Sequence, residues 1–518
     1  MNNEATPIIS RRSISVGAGI FLTRVANLIR GRVFARYFGI SEAADVFQIV
    51  LQIPVFFQSL FGEGALSASF IPVYAQLVAR DDSEGSRRVA WSIGSTLALF
   101  VSVAVAAGTL GASEVIRLVA PGFTHEKREL AVRIAHFLFP AAGLIALSAW
   151  CLGILNAHRR FFLAYSAPVL WNLAILATLI GFGKTHVPER LAIDVAVGLC
   201  VGSALQFLLL LPFSLRIVRA YRKARPEEAL PIRRIRRGFF PGMLVRGVIH
   251  LVALCDGVLA TFLPTGAVAA VAYAQAIYLL PTGLFGFAVI PDGEDEAARA
   301  RLRHRIETGL SRISFYAIPA VAAFLFLGDT IASAIYQSGT FDRNAALLVW
   351  GILAAGTVGI LPAIRVRLIS SALVAMGDAK IPVAGALSRV FLGGVLGYFG
   401  ATWLPGRLDC AQIYGSVFIT SASALVAWLE YFVLKNRLEV RIGEIRPGER
   451  ARNRAVSAAV IASGMAFSLK ITIEDFSRPI FSAVIVLSAF AAIYFTVGAL
   501  LGIEESKRIC ARFGLRFG

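Results

Sequence analysis

The chain has 518 residues, of which 57% are hydrophobic and only 16% charged. Soluble domains carry about 25% charged residues, so the composition excludes an ordinary soluble protein and points to helices packed in a bilayer. The net charge of +19 would suggest nucleic acid in a soluble chain, but the basic residues cluster in the gaps between apolar runs. There they read as the positive-inside signal and as attraction to an anionic lipid leaflet.

The chain opens on MNNEATPIISRR, and no small-residue cleavage site follows the first apolar run, so no removable signal peptide is expected. Apolar runs predict helices at 14–39, 44–79, 88–112, 128–157, 163–183, 191–222, 239–264, 267–290, 305–327, 344–375, 382–404, 410–436, 454–471 and 479–503. That makes about fourteen transmembrane helices, an all-α polytopic membrane protein. The second run is too long for one straight span, and Pro54 and Gly62-Glu63-Gly64 are expected to bend or break it.

The odd-to-even gaps are poor in Lys and Arg. The even-to-odd gaps are rich, as in His158-Arg159-Arg160 and Arg233-Arg234-Ile235-Arg236-Arg237. This places both termini in the cytoplasm. The segment 291–307, acidic at Glu294–Glu296 and basic at Arg299, Arg301 and Arg303, reads as a solvated helix with a favourable dipole arrangement. Two pseudo-symmetric six-helix lobes are expected at 14–222 and 239–437, joined by a basic linker at 223–238. The residues Ala120-Pro121-Gly122-Phe123 and Ser338-Gly339-Thr340-Phe341 recur after the third helix of each lobe. Helices at 454–503 are an addition without a counterpart in either lobe. Repeated halves around a midplane site are the common plan of secondary transporters.

The charges inside the apolar runs are the candidate site. An Arg at the centre of a membrane helix costs about 2.5–3.5 kcal/mol on the insertion scale. Arg24, Arg30 and Arg32 share the first helix, so a wet cavity explains them better than lipid does. At 1.5 Å per residue, Arg24 lies about 15 Å from Ile14, near the midplane, and Arg30 about 9 Å further on, some 120° around the helix. Arg36 reads as a snorkelling residue. Asp45 and Glu63 follow in the second run, and Arg246, His250 and Asp256 in the seventh. Arg365 and Arg367 lie in the tenth, Arg389 in the eleventh. Asp256, an acid inside the membrane, is the candidate for ion coupling. The excess of arginine suits an anionic substrate, since the guanidinium fork binds two phosphate oxygens. The five cysteines form no C-x-x-C pair, and neither a disulfide framework nor a metal site is indicated. No cofactor is implied. The short loops carry no acidic or metal-binding motif of the kind an enzyme such as a glycosyltransferase needs.

The stretch TRVANLIRGRVFARYFG…AADVFQIVLQIPVFFQSLFGEGALSASFIPVY resembles the opening of the MurJ (MviN) lipid II flippase family. APGF at 120–123, ILNAHRRF from Ile154, YQSGTF at 336–341 and ALVAMGDAKIP at 372–382 extend the match. The resemblance implies a fold of the multidrug/oligosaccharidyl-lipid/polysaccharide exporter type, with two lobes about a central cavity. It implies alternating-access movement of an undecaprenyl-diphosphate-linked peptidoglycan precursor to the outer leaflet of the bacterial inner membrane, for cell-wall synthesis. Arg24, Arg30, Asp45 and Glu63 match family positions, Arg24 and Arg30 holding the diphosphate; Asp256 falls where the family has Asn or Asp. The two last helices would form a groove for the lipid tail, and cell-wall synthesis proteins are possible partners. The departures are Gly31 where the family has Asp, Gln58-Ser59 where it has paired arginines, and Gln275-Ala276 where it has Asp-Arg. Arg32, Arg246 and Arg365 are candidates to compensate. The alternatives are export of another polyprenyl-diphosphate glycan, or a membrane scaffold that has lost its site.

Overall fold

A computed structural model describes residues 11–219, 250–251, 254–282, 296–446, 448–473, 478–512 and 514–515. The chain divides into two units, Met1–Leu254 and Cys255–Gly518. Among the described residues ten helices are long and apolar enough to cross a membrane, and a pair bent by 45° makes an eleventh. Of the expected fourteen spans the other three have plain reasons for standing apart. The first carries the arginines, the eighth is a 16-residue helix, and the seventh lies mostly outside the described residues, as does the linker 223–238.

The first unit holds α1 (Arg11–Phe38), α2 (Glu42–Val50), α3 (Gln52–Phe57), a π-helix (Gln58–Phe70), α4 (Ile71–Ala79), α5 (Ser83–Leu110), α6 (Ala112–Val119), α7 (His125–Ala157), α8 (Phe161–Ser166), α9 (Val169–Phe182) and α10 (Pro188–Arg219). Helix α7 is its axis. It packs against α2, α3, the π-helix, α4, α5, α6, α8 and α10, and 78% of its apolar window is buried. Small residues let the neighbours approach closely, the usual device where lipid gives no hydrophobic drive between helices. Ala135, Ala141, Ala142, Ala146 and Gly153 all lie buried along it, and Trp150 Nε1 donates to the Ala90 carbonyl of α5 at 3.0 Å.

The second apolar run stays helical through Pro54, whose missing N–H is absorbed at the step between α2 and α3. The coil then widens, and 13 residues from Gln58 follow π geometry. π-helix is rare and mostly confined to single turns near functional sites. The expected break at Gly62-Glu63-Gly64 is therefore a change of coil, not a loss of helix.

Helix α9 meets α10 at Gly202. A Cβ there would fall 2.5 Å from the Trp171 Cα and 2.7 Å from the Ala174 Cβ. The first neighbour is backbone, which cannot rotate away. Gly202→Ala is expected to force the helices apart and destabilise the fold by about 1–3 kcal/mol, read as a lowered unfolding temperature of the purified protein in detergent.

The second unit holds α11 (254–260), α12 (Ala267–Thr282), α13 (Glu296–Tyr336), α14 (Arg343–Thr357), α15 (Ile360–Ala375), α16 (Lys380–Arg407), α17 (Gly415–Ile442), α18 (Glu449–Ile473), α19 (Pro479–Leu500) and α20 (Glu504–Arg512). The charged residues from Glu296 form no separate element; they begin α13, a single helix of 41 residues. Helices α14 and α15 are the bent pair. Pro362 has no N–H to offer the Val358 carbonyl four residues back, and Trp428 Nε1 of α17 donates to that carbonyl instead, at 3.0 Å. Gly359 lets α17 close in, a Cβ there falling 3.0 Å from the Ala424 Cα.

The turns after the third helix of each expected lobe have the same form. Phe123 N–H donates to the Ala120 carbonyl at 3.2 Å and Phe341 N–H to the Ser338 carbonyl at 3.1 Å. A helix begins two residues later in both, at His125 and Arg343. The C-terminal pair α18–α19 packs on α13, where Tyr494 donates its hydroxyl to the Phe315 carbonyl at 2.7 Å.

Candidate functional site

In the first unit the arginines lie on α1, which packs on α8 and α9. Thr23 ties the helix down by donating to the Tyr165 carbonyl at 2.8 Å. Arg24, the next residue, is exposed. Arg30 is partly buried, its guanidinium stacked over the Trp171 ring of α9 at 4.8 Å. A cation over an indole is attracted by the ring quadrupole. Arg32 is partly buried and Arg36 exposed. The six-residue step from Arg24 to Arg30 thus separates an arginine held over a ring from an exposed one.

Asp45 sits elsewhere, 1% exposed in the first turn of α2. Lys127 of α7 lies 3.8 Å from its carboxylate, and 4.0 Å from Glu42. Lys127 was not among the residues singled out from sequence, because at the start of a helix it reads as a solvated charge. Glu63 lies on the π-helix and its side chain is outside the described part, as is Arg246. The His250 ring lies tilted against that of Phe56, with centroids 6.0 Å apart.

On the loop after α7, His158 Nε2 and the Tyr74 hydroxyl are 3.1 Å apart. Burial, aided by the Arg160 charge, pushes this imidazole below the ordinary 6.5. Both causes favour the neutral ring.

In the second unit Asp256 of α11 accepts from the Ser423 hydroxyl of α17 at 2.5 Å. Seven residues on, two turns along the same face, Glu430 accepts from Arg389 of α16 at 3.4 Å. Its side chain is 5% exposed and that of Arg389 18%. Arg389 is within electrostatic reach of Asp256, and Tyr278 of α12 is within reach of Arg389, Arg367 and Asp256. The cluster holds two acids and one cation on the packed seam of α11, α16 and α17. Glu430, an acid inside the apolar run ALVAWLEYFV, was legible by the same rule that picked out Asp256.

Arg365 is 5% exposed. It donates to the Ser314 hydroxyl of α13 at 3.0 Å and lies 5.4 Å over the Tyr431 ring of α17. These contacts lock α15 between its neighbours. Arg367, two residues on, is exposed.

The sequence model described as lipid II flippase MurJ matches residues 34–490. The chain belongs to the lipid II flippase MurJ family. Among the relatives of this family, the probable lipid II flippase MurJ of Rhizobium meliloti (strain 1021) is 26% identical over 523 residues, covering 95% of this chain and 94% of that protein. The probable lipid II flippase MurJ of Aquifex aeolicus (strain VF5) is 24% identical over 519 residues, covering 98% and 97%. A solved lipid II flippase MurJ in an inward closed conformation superposes with a TM-score of 0.72 at 22% identity, covering 94% of this chain and 98% of that one. An inward-facing MATE family transporter of the MOP superfamily gives 0.65 at 15% identity, covering 83% of this chain and 99% of that one. The fold is thus that of MurJ and the MATE transporters, a multi-pass membrane protein.

Proposed function

We propose that this chain moves lipid II, the lipid-linked peptidoglycan precursor, from the inner to the outer leaflet of the bacterial plasma membrane by alternating access. The observation that carries this is the family match over 34–490; just before the matched range Arg30 lies over Trp171 of α9, six residues after an exposed Arg24. The planar fork of an arginine can bind two phosphate oxygens. Arg24 and Arg30 would hold the diphosphate, with Arg32, Arg246, Arg365, Glu63 and Asp45 contributing to binding or to its positioning. Asp256 would couple an ion. Both termini would be cytoplasmic, and anionic lipids and cell-wall synthesis proteins would be partners. The pair α18–α19 would offer a lipid-tail groove.

The departures at Gln58-Ser59 and Gln275-Ala276 favour one second reading, export of a different polyprenyl-diphosphate glycan. The test is whether purified protein in proteoliposomes moves fluorescent lipid II to the far leaflet. Movement of lipid II is expected. Movement of another polyprenyl-diphosphate glycan alone would establish the second reading, and movement of neither would reject transport.

A further inference from the structure

Helix α13 carries a proline in its interior, yet it runs as one helix of 41 residues. Pro319 has no N–H, so the Phe315 carbonyl four residues back loses its helix partner. In a bilayer such a carbonyl needs a donor from a neighbouring helix, a side chain or an ordered water. Tyr494 of α19 supplies one: its hydroxyl donates to the Phe315 carbonyl at 2.7 Å. Both residues are buried, at 1% and 4% exposure. Their rings lie tilted against each other with centroids 5.8 Å apart.

Different neighbours hold the two parts of α13. Before Pro319, Arg365 of α15 donates to Ser314. The loop after α17 donates from the Arg446 N–H to Glu307 at 2.8 Å and from the Gly448 N–H to Ser311 at 3.2 Å. After Pro319, Trp350 Nε1 of α14 donates to the Phe324 carbonyl at 3.2 Å. Tyr336 donates its hydroxyl to the Tyr273 carbonyl of α12, also at 3.2 Å. The C-terminal pair crosses the boundary. Tyr494 of α19 grips the part before Pro319, and Lys470 of α18 meets Asp329 beyond it at 2.6 Å. The third helix of the first expected lobe, α5, contains no proline, and the extra pair has no counterpart there. The weak point and the helices that cover it occur together.

A backbone hydrogen bond inside a helix is lost only by unwinding the helix. A hydroxyl from another helix withdraws by a small slide. We infer that Phe315–Pro319 is a hinge in α13 and that the pair α18–α19 is its splint. Tyr494 holds the joint closed and withdraws when the part after Pro319 swings against the part before it. That this swing belongs to the transport cycle rests on the proposed function; the joint itself does not.

The experiment is hydrogen–deuterium exchange of the full-length protein in detergent, read by mass spectrometry on peptides covering residues 310–325. Tyr494→Phe removes the hydroxyl alone. It is expected to speed exchange there about tenfold, the effect of leaving one buried carbonyl without its hydrogen bond. Pro319→Ala gives the Phe315 carbonyl a backbone donor and is expected to slow exchange below wild type. In the double variant that donor is already present, so Tyr494→Phe is expected to add nothing. Unchanged exchange in Tyr494→Phe, or an equal rise with proline and with alanine at 319, would overturn the joint. Should Pro319→Ala not fold, unchanged exchange in Tyr494→Phe overturns it by itself. Growth support in a host depleted of its own flippase tests the use of the joint. Pro319→Ala is expected to lower that support although the helix gains a hydrogen bond, and full support would remove the hinge from transport. Absence of support by wild type would count against the transport reading, while the exchange result still decides the joint.

Discussion

Arg30→Ala is expected to abolish growth support in a host depleted of its own flippase, with the protein still present in the membrane. Two losses add. The stack on Trp171 at 4.8 Å is worth about 0.5–2 kcal/mol. A charge-assisted contact to phosphate is worth roughly 1.5–3 kcal/mol, or about ten- to a hundredfold in affinity. Arg30→Lys keeps the charge but not the planar fork, so it is expected to fall between. Trp171→Leu leaves the arginine and frees its plane, and a partial loss is expected there too. Arg24→Ala should match Arg30→Ala, since its side chain reaches outward. Immunoblots of the membrane fraction separate loss of activity from loss of protein. Full growth with both alanines in place would remove these arginines from the transport mechanism.

Arg389→Met is expected to be the most damaging single change to the fold of the second unit. It leaves Glu430, whose side chain is 5% exposed, without its cation. Breaking a buried pair from one side costs about 3–5 kcal/mol, because a charge stays behind in a dry site. Glu430→Gln should cost less, since the Gly385 seam has ordinary contact distance to that side chain, 3.5 Å from a Cβ placed on Gly385, and the amide fits. The double variant Arg389→Met/Glu430→Gln should recover much of the loss. Thermal unfolding of the three variants in one detergent measures this. An additive double variant would mean that the two residues do not act as a pair.

Much of the fold was legible in the sequence. Runs of about 20 apolar residues mark spans because the bilayer demands that length, and the arginines of α1 stand out because they are costly there. What stayed hidden depends on contacts between distant residues. Lys127 beside Asp45, Ser423 beside Asp256, and Lys470 with Arg343 on Asp329 are groupings that come together only when the helices pack. Arg365 shows the reverse. In sequence it is one more buried cation free for an anion, yet Ser314 and Tyr431 hold it between helices. The bend at Val358 is intermediate: Pro362 announces it, but the indole that makes it tolerable comes from Trp428, 70 residues away.

The wide coil at Gln58–Phe70 also bears on how this chain is aligned with its relatives. An α-helix turns about 100° per residue, while bonds to the fifth residue turn less. Over 13 residues the difference accumulates, so a position here and its aligned partner in an α-helical relative point in different directions. Gln58 and Ser59 stand at the start of this stretch, where the two coils would still nearly agree. Further along, a matching letter no longer guarantees a matching face. For Glu63 and the residues after it, the useful comparison is between directions around the helix axis, not between columns of an alignment.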